Sequence, residues 1–318
     1  MELKLYPQHF RADLPLPEAR ELFRASVNLV EIEVFTYCNR TCWFCPNASI
    51  PQRQDRQGNL LMDEGIYLRV LDELAGIGYR GAITYSRYNE PLADRETILA
   101  RIRQARERLP GAFLFTHSNG DFATREYLDA LADAGLNALR MQTYPGNDER
   151  WDDTAILARQ ARQLERLGLS ASPVMQLPGT RYMVRADYPR MELTIDARNF
   201  DEIGTDRGGL VQLRRKVERT SPCFVVFQHL YIDYNGSIVP CCNLRSDVPE
   251  HQPYVAAQLD GRLSIFEAYA RLAGWRRSLL TFGPKKAPCD TCAYEAIPHD
   301  AALAGRLEEY ARGLPEGG

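Results

Sequence analysis

Between residues 29 and 198 short apolar runs alternate with longer amphipathic stretches, and that rhythm constrains the fold more than any other feature. LVEIEVFTY (29–37) reads as a strand and is followed by a helical pattern from about Asp63 to Leu74. GAITYSRY (81–88) precedes a helix from about Asp94 to Arg108, and AFLFTHSNG (112–120) precedes one from Thr124 to Ala134. LRMQTY (139–144) leads into a helix at about 151–167, and SASPVMQ (170–176) and MELTIDAR (191–198) are two further strands. Parallel strands need a crossover helix between them, so the alternation predicts an α/β chain. Five or six such units form a partial (β/α)6, TIM-like barrel. After residue 205 the rhythm breaks. DRGGLVQLRRKVERTSPC reads as a connector, and CFVVFQHLYIDYNGSIVPCC as a hairpin turning at Asn235-Gly236. A helix is expected over Ile265–Leu280. The organisation expected is an N-terminal arm (1–28), a barrel (29–205), and a connector with a small cysteine-bearing module (206–318).

The 39 basic and 42 acidic side chains leave a net charge of -3, which argues against a nucleic-acid-binding surface. No apolar run approaches the ~20 residues of a membrane span. MELKLYPQHFRADLPLPEAR has no apolar core resembling a secretory signal. The expectation is a cytoplasmic protein with no membrane partner. In a reducing compartment, eight cysteines at close spacing read as metal ligands or reactive thiols.

Cys38, Cys42 and Cys45 are spaced C-x3-C-x2-C immediately after a strand. Three thiolates in one tight loop can hold three irons of a cubane and leave the fourth open to a small molecule. Structural zinc wants four ligands, and no nearby His or Cys supplies a fourth, His117 and His229 being distant in sequence. Later, Cys223, Gly236 and Cys241 are spaced C-x12-G-x4-C, and Cys289-Asp290-Thr291-Cys292 adds a C-x2-C. Four thiolates suit either zinc or an iron–sulfur cluster, and the donor set leaves both open. Cys242 is left over, as a small buried side chain or as a hydrogen-atom donor.

The first loop, with Phe44 before its third cysteine, resembles the signature of the radical SAM (S-adenosylmethionine) superfamily. The resemblance implies a 4Fe–4S cluster on Cys38, Cys42 and Cys45 that binds SAM and cleaves it to a 5′-deoxyadenosyl radical. Tyr88-Asn89-Glu90-Pro91 is similar to the family's Gly-Gly-Glu-Pro motif, with Tyr88 and Asn89 replacing the glycines and Glu90 placed for the methionyl ammonium. Ser118-Asn119-Gly120 is similar to the Thr-Asn-Gly that ends the third strand in the family. Gln142 and Thr143 sit where members place a ribose partner. The late cysteines resemble the shortened, twitch form of the SPASM auxiliary domain, since no cysteine follows Cys292. That implies a second, auxiliary 4Fe–4S cluster on Cys223, Cys241, Cys289 and Cys292, and an electron donor such as flavodoxin or ferredoxin.

Members of this group oxidise an aminocyclitol carbinol carbon through the auxiliary cluster, invert a sugar carbon with a cysteine hydrogen donor, or modify peptides. The expectation is oxidation of a small polar, sugar- or aminocyclitol-like substrate in natural product biosynthesis. The alternatives are an epimerase using Cys242, modification of a ribosomal peptide, and, from another class, a non-catalytic iron–sulfur electron-transfer protein.

Overall fold

Asp63, Asp94, Thr124 and Asp152 each accept a backbone N–H three residues on, and each starts a helix. Those four caps set the spacing of the chain. The computed structural model describes residues 4–50, 57–146, 149–213 and 215–314. Its helices are α1 Leu16–Ser26, α2 Glu64–Gly76, α3 Arg95–Arg108, α4 Arg125–Asp133, α5 Asp153–Leu167, α6 Phe200–Ile203, α7 Val225–Gln228, α8 Ile265–Ala270, α9 Ala273–Leu279 and α10 Ala301–Arg312. The strands are β1 Leu29–Ile32, β2 Ala82–Thr84, β3 Phe113–Ser118, β4 Ala138–Thr143, β5 Ala171–Leu177, β6 Arg181–Ala186, β7 Glu192–Arg198, β8 His229–Ile232, β9 Ser237–Val239 and β10 Ala257–Gln258.

All ten strands form one sheet in the order β10-β9-β8-β1-β2-β3-β4-β7-β6-β5. From β8 to β7 every pairing is parallel, which makes the six-stranded wall of a partial TIM-like barrel. Val30, Ile32, Ile83 and Leu114 on its strands are fully buried, as are Val70, Leu71, Leu74, Ile98 and Ile102 on the covering helices. Burial of each such aliphatic side chain contributes about 1.5–3 kcal/mol.

Four expectations need correction. Strand β1 ends at Ile32 rather than near residue 37, because the chain leaves the sheet there. Beyond Ile32 the Glu33 N–H still donates to the Ile232 carbonyl at 2.9 Å, and the continuation then makes the isolated bridge Phe35–Leu61. Residues 171–177 do form a strand, but it is an antiparallel edge strand and not a parallel barrel unit. Its partner β6 has no counterpart in the expected pattern, and with β5 and β7 it makes a meander. Finally, the helix expected over 265–280 is two helices, α8 and α9, which break at Arg271–Leu272.

The hairpin at Asn235-Gly236 forms as expected, with Gly236 at φ +81°. Its first strand β8 runs parallel to β1, with Leu29 opposite His229. The cysteine-bearing module thus extends the barrel sheet. The N-terminal segment packs as well, since His9 bonds Ser26 at 2.8 Å and Arg276 donates to the His9 carbonyl at 3.1 Å. No helix among the described residues is long and apolar enough to cross a membrane.

Candidate active site between two cysteine sites

The C-terminal ends of β1–β4 open on a cavity of about 550 Å³. Catalytic groups of such barrels come from these strand ends. Cys38, Cys42 and Cys45 line it on a loop whose turn is closed by the Cys45 N–H donating to the Cys42 carbonyl at 2.9 Å. The loop is tied across the cavity mouth to Asp121, which accepts from Asn39 Nδ2 at 2.8 Å and from Arg40 Nε at 2.7 Å. Phe44 is buried and stacks on Phe200 of α6, with centroids 3.9 Å apart and planes 10° from parallel.

Glu90 is buried at the end of β2. Its carboxylate accepts from Ser118 Oγ at 2.6 Å, from the Asn119 N–H at 2.7 Å and from the Leu92 N–H at 3.0 Å. Burial pushes the group up to about 7, and these three donors pull against it. Its own N–H donates to the Tyr37 carbonyl at 2.8 Å, next to Cys38. Asn89 accepts from the Arg87 N–H through Oδ1, while its buried Nδ2 has no partner among the described residues. The Tyr88 hydroxyl donates to the Cys242 carbonyl at 2.8 Å, which ties the β2 loop to the cysteine-bearing module.

Asn89, Glu90, Ser118, Asn119 and Phe44 thus surround one cavity with the three cysteines. Gln142 and Thr143 are not in its lining. Thr143 stands one residue out of phase with the cavity-facing Arg140 and turns to Gln163 of α5.

Cys223, Cys241, Cys289 and Cys292 line a second, small cavity together with Trp275 and Asn243. Cys242 does not; it lines the large cavity. The two neighbouring thiols lie in the turn after β9, where the Leu244 N–H donates to the Cys241 carbonyl at 3.3 Å, and each lines a different cavity. Tyr294 lines both cavities, so one residue separates the two. Burial pushes the Cys42 and Cys289 thiols up to about 12, and Cys38 and Cys241 rise for the same reason. Such thiols become anionic ligands only when a metal supplies the positive charge. Among the described residues no three His, Cys, Asp or Glu side chains converge on a point as a single ion requires; the cysteines instead ring cavities. The three-thiol set and the orphaned Asn89 Nδ2 fit a cluster with a small polar ligand.

Sequence reasoning missed the charged floor of the large cavity. Arg87, whose side chain is fully buried, lies 2.7 Å from Asp233 and 3.1 Å from Glu31, and donates to the Leu244 carbonyl at 2.7 Å. Burial lifts Glu31 to about 7 even though Arg87 and Arg207 pull it down. The network joins β1, the β2 loop and the β8–β9 turn. The only sequence signal for it was the pair of acids at residues 31 and 33 inside an otherwise apolar strand.

Residues 32–175 match the family model described as the radical SAM superfamily. An S-adenosyl-L-methionine-dependent 2-deoxy-scyllo-inosamine dehydrogenase from Niallia circulans is 29% identical over 119 residues, 37% of this chain. The match spans 46% of that relative's length. The crystal structure of BtrN in complex with AdoMet and 2-DOIA superposes with a TM-score of 0.55 at 21% identity, over 80% of this chain and 87% of that one. Selenomethionine BtrN in an open conformation gives 0.51 at 19% identity, over 80% and 85%. Over residues 32–175, a little under half of its length, the chain is similar to the radical SAM superfamily.

Proposed function

We propose that this chain is a radical SAM oxidoreductase that dehydrogenates a small polar, sugar- or aminocyclitol-like substrate. In this reading Cys38, Cys42 and Cys45 hold the SAM-binding 4Fe–4S cluster. Cys223, Cys241, Cys289 and Cys292 hold an auxiliary one. When bound and reduced, such a cluster with SAM supplies a radical able to take hydrogen from an unactivated carbon. The chain's own residues then bind and orient. Asp121 fixes the cluster loop through Arg40 and Asn39. Asn89 offers Nδ2, and Glu90 holds the β2 and β3 loops together through Leu92, Ser118 and Asn119.

One observation carries the reading: the large cavity holds the first three cysteines on its wall and meets the second cysteine cavity at Tyr294, which lines both. A substrate there would be flanked by both. The dehydrogenase from Niallia circulans has this type of activity on 2-deoxy-scyllo-inosamine, which makes that compound the first candidate. The test is anaerobic incubation of iron-reconstituted protein with SAM, dithionite and 2-deoxy-scyllo-inosamine. Formation of 5′-deoxyadenosine with a ketone two mass units lighter than substrate is expected. A reduced, loaded protein that never yields 5′-deoxyadenosine with any candidate would overturn the reading.

A second reading is favoured by the position of Cys242 on the cavity wall. A free thiol there can return hydrogen to a substrate radical, as an epimerase requires. Cys242→Ala separates the two: a dehydrogenase keeps making ketone, whereas an epimerase consumes SAM without finishing inverted product. Solvent deuterium at an inverted carbon would decide for the epimerase.

A further inference from the structure

Among the arginines that line the same cavity, three stand on strands: Arg140 on β4, Arg181 on β6 and Arg198 on β7. Register brings them together, since Arg181 pairs with Arg198 and Arg140 with Thr194. One buried carboxylate stands among them. Asp196 accepts two bonds from Arg181, at 2.8 and 2.9 Å, and one from Arg198 Nε at 2.7 Å. Burial works against ionisation of Asp196, but Arg181 and Arg198 hold its carboxyl below the ordinary value.

That leaves donors unused among the described residues. Both terminal nitrogens of Arg198 and the whole guanidinium of Arg140 have no hydrogen-bond partner. Arg140 lies 4.5 Å from the Phe115 ring centroid and makes no ion pair. His117 adds no charge of its own, because burial, then Arg140 and Arg198, hold its imidazole neutral down to about pH 3. Glu192 and Asp196 are the acids that act on Arg140, and Asp196 is already engaged. Arg198 and Arg140 repel one another at a solvent-open wall of the cavity, where Arg140 is exposed and the Arg198 side chain 39% exposed, an arrangement that a bound anion would relieve. Planar guanidinium forks match the oxygens of carboxylate and phosphate.

We propose that the substrate carries an anionic substituent, a phosphate or a carboxylate, held by Arg140 and Arg198. The proposal rests on the reading of the large cavity as the substrate site. It extends that reading by giving the sugar or cyclitol a negative charge, which the uncharged ring and cationic amine of an aminocyclitol lack.

The test is calorimetric binding to the full-length, cluster-reconstituted chain with SAM present. The probes are myo-inositol 1-phosphate against myo-inositol, and D-glucuronate against D-glucose. A charge-assisted bond contributes about tenfold or more in affinity, so at least one anion is expected to bind at least tenfold tighter than its neutral parent. Which anion wins tells phosphate from carboxylate. Raising salt should shrink the preference. Arg140→Gln, which leaves both partners of Asp196 in place, should remove most of it, and Arg140→Gln/Arg198→Gln all of it, with SAM affinity unchanged. Equal binding of charged and neutral probes overturns the proposal. So does a preference that survives the double substitution, or a fall in SAM affinity of the same size, which would give these arginines to SAM. Failure of the reduced protein to form 5′-deoxyadenosine would sink the proposed reaction instead, and the binding preference is read independently of it.

Discussion

Substituting Arg87 with leucine should test how the cysteine module is welded to the barrel. Its side chain is fully buried between Asp233 at 2.7 Å and Glu31 at 3.1 Å, whose side chains are 2% and 13% exposed. Leucine fills much of the volume but leaves two acids without their cation. Removing one partner of a buried pair costs about 3–5 kcal/mol. For a chain of this size that is a melting-temperature drop of roughly 6–10 °C. The deficit should also depend on pH. Glu31 in the folded wild type already lies at about 7 against an ordinary 4.5, with Arg87 holding it down, so losing Arg87 raises it further. A carboxyl raised in the folded state stabilises while protonated, and that stabilisation is lost as pH rises through the folded value. The variant's deficit should therefore be larger at pH 8 than at pH 5.5, and Arg87→Leu/Glu31→Gln should recover part of it. Differential scanning calorimetry at both pH values measures this. A drop under 2 °C, or one equal at the two pH values, would refute the reasoning.

Cys223→Ala/Cys289→Ala should halve the iron of reconstituted protein, from about eight per chain to about four, as read by colorimetric iron assay; stoichiometric zinc at this site in anaerobically purified protein would contradict the auxiliary-cluster assignment. Trp275 lines the same cavity, so loading that site should quench tryptophan fluorescence in wild type and less in Trp275→Phe. Asp121→Ala releases Arg40 and Asn39, and the N-terminal cluster should then lose iron to a chelator several-fold faster while the late site is unaffected. Phe44→Ala removes the stack on Phe200, a truncation that costs about 3–5 kcal/mol at a buried aromatic, visible as a lower urea midpoint.

Much of the barrel was legible because its signals are local. An Asp or Thr cap, an amphipathic helix and a short apolar strand repeat four times, and each is decided within about fifteen residues. Spacing singled out the cysteines and a strand-end position singled out Glu90, and the fold gathers these residues around the two cavities. Strand β6 was not, because RYMVRA presents Arg181 and Arg185 on one side and reads as a polar loop until β7 supplies Asp196. The arginine group was hidden for a related reason: its members lie on three strands, and only sheet register makes them neighbours. Thr143 shows the opposite failure, where position along the strand was right and the face was wrong.

Strand β1 is hydrogen-bonded on one side to β2 and on the other to β8, which arrives two hundred residues later. On the ribosome the N-terminal half therefore emerges with one flank of its central strand uncovered, and it stays so until the late hairpin is synthesised. An unpaired apolar edge is a template for other chains. Gene fragments ending near residue 205 should accordingly be insoluble, and the natural unit of expression, evolution and engineering is the whole chain rather than a detachable half.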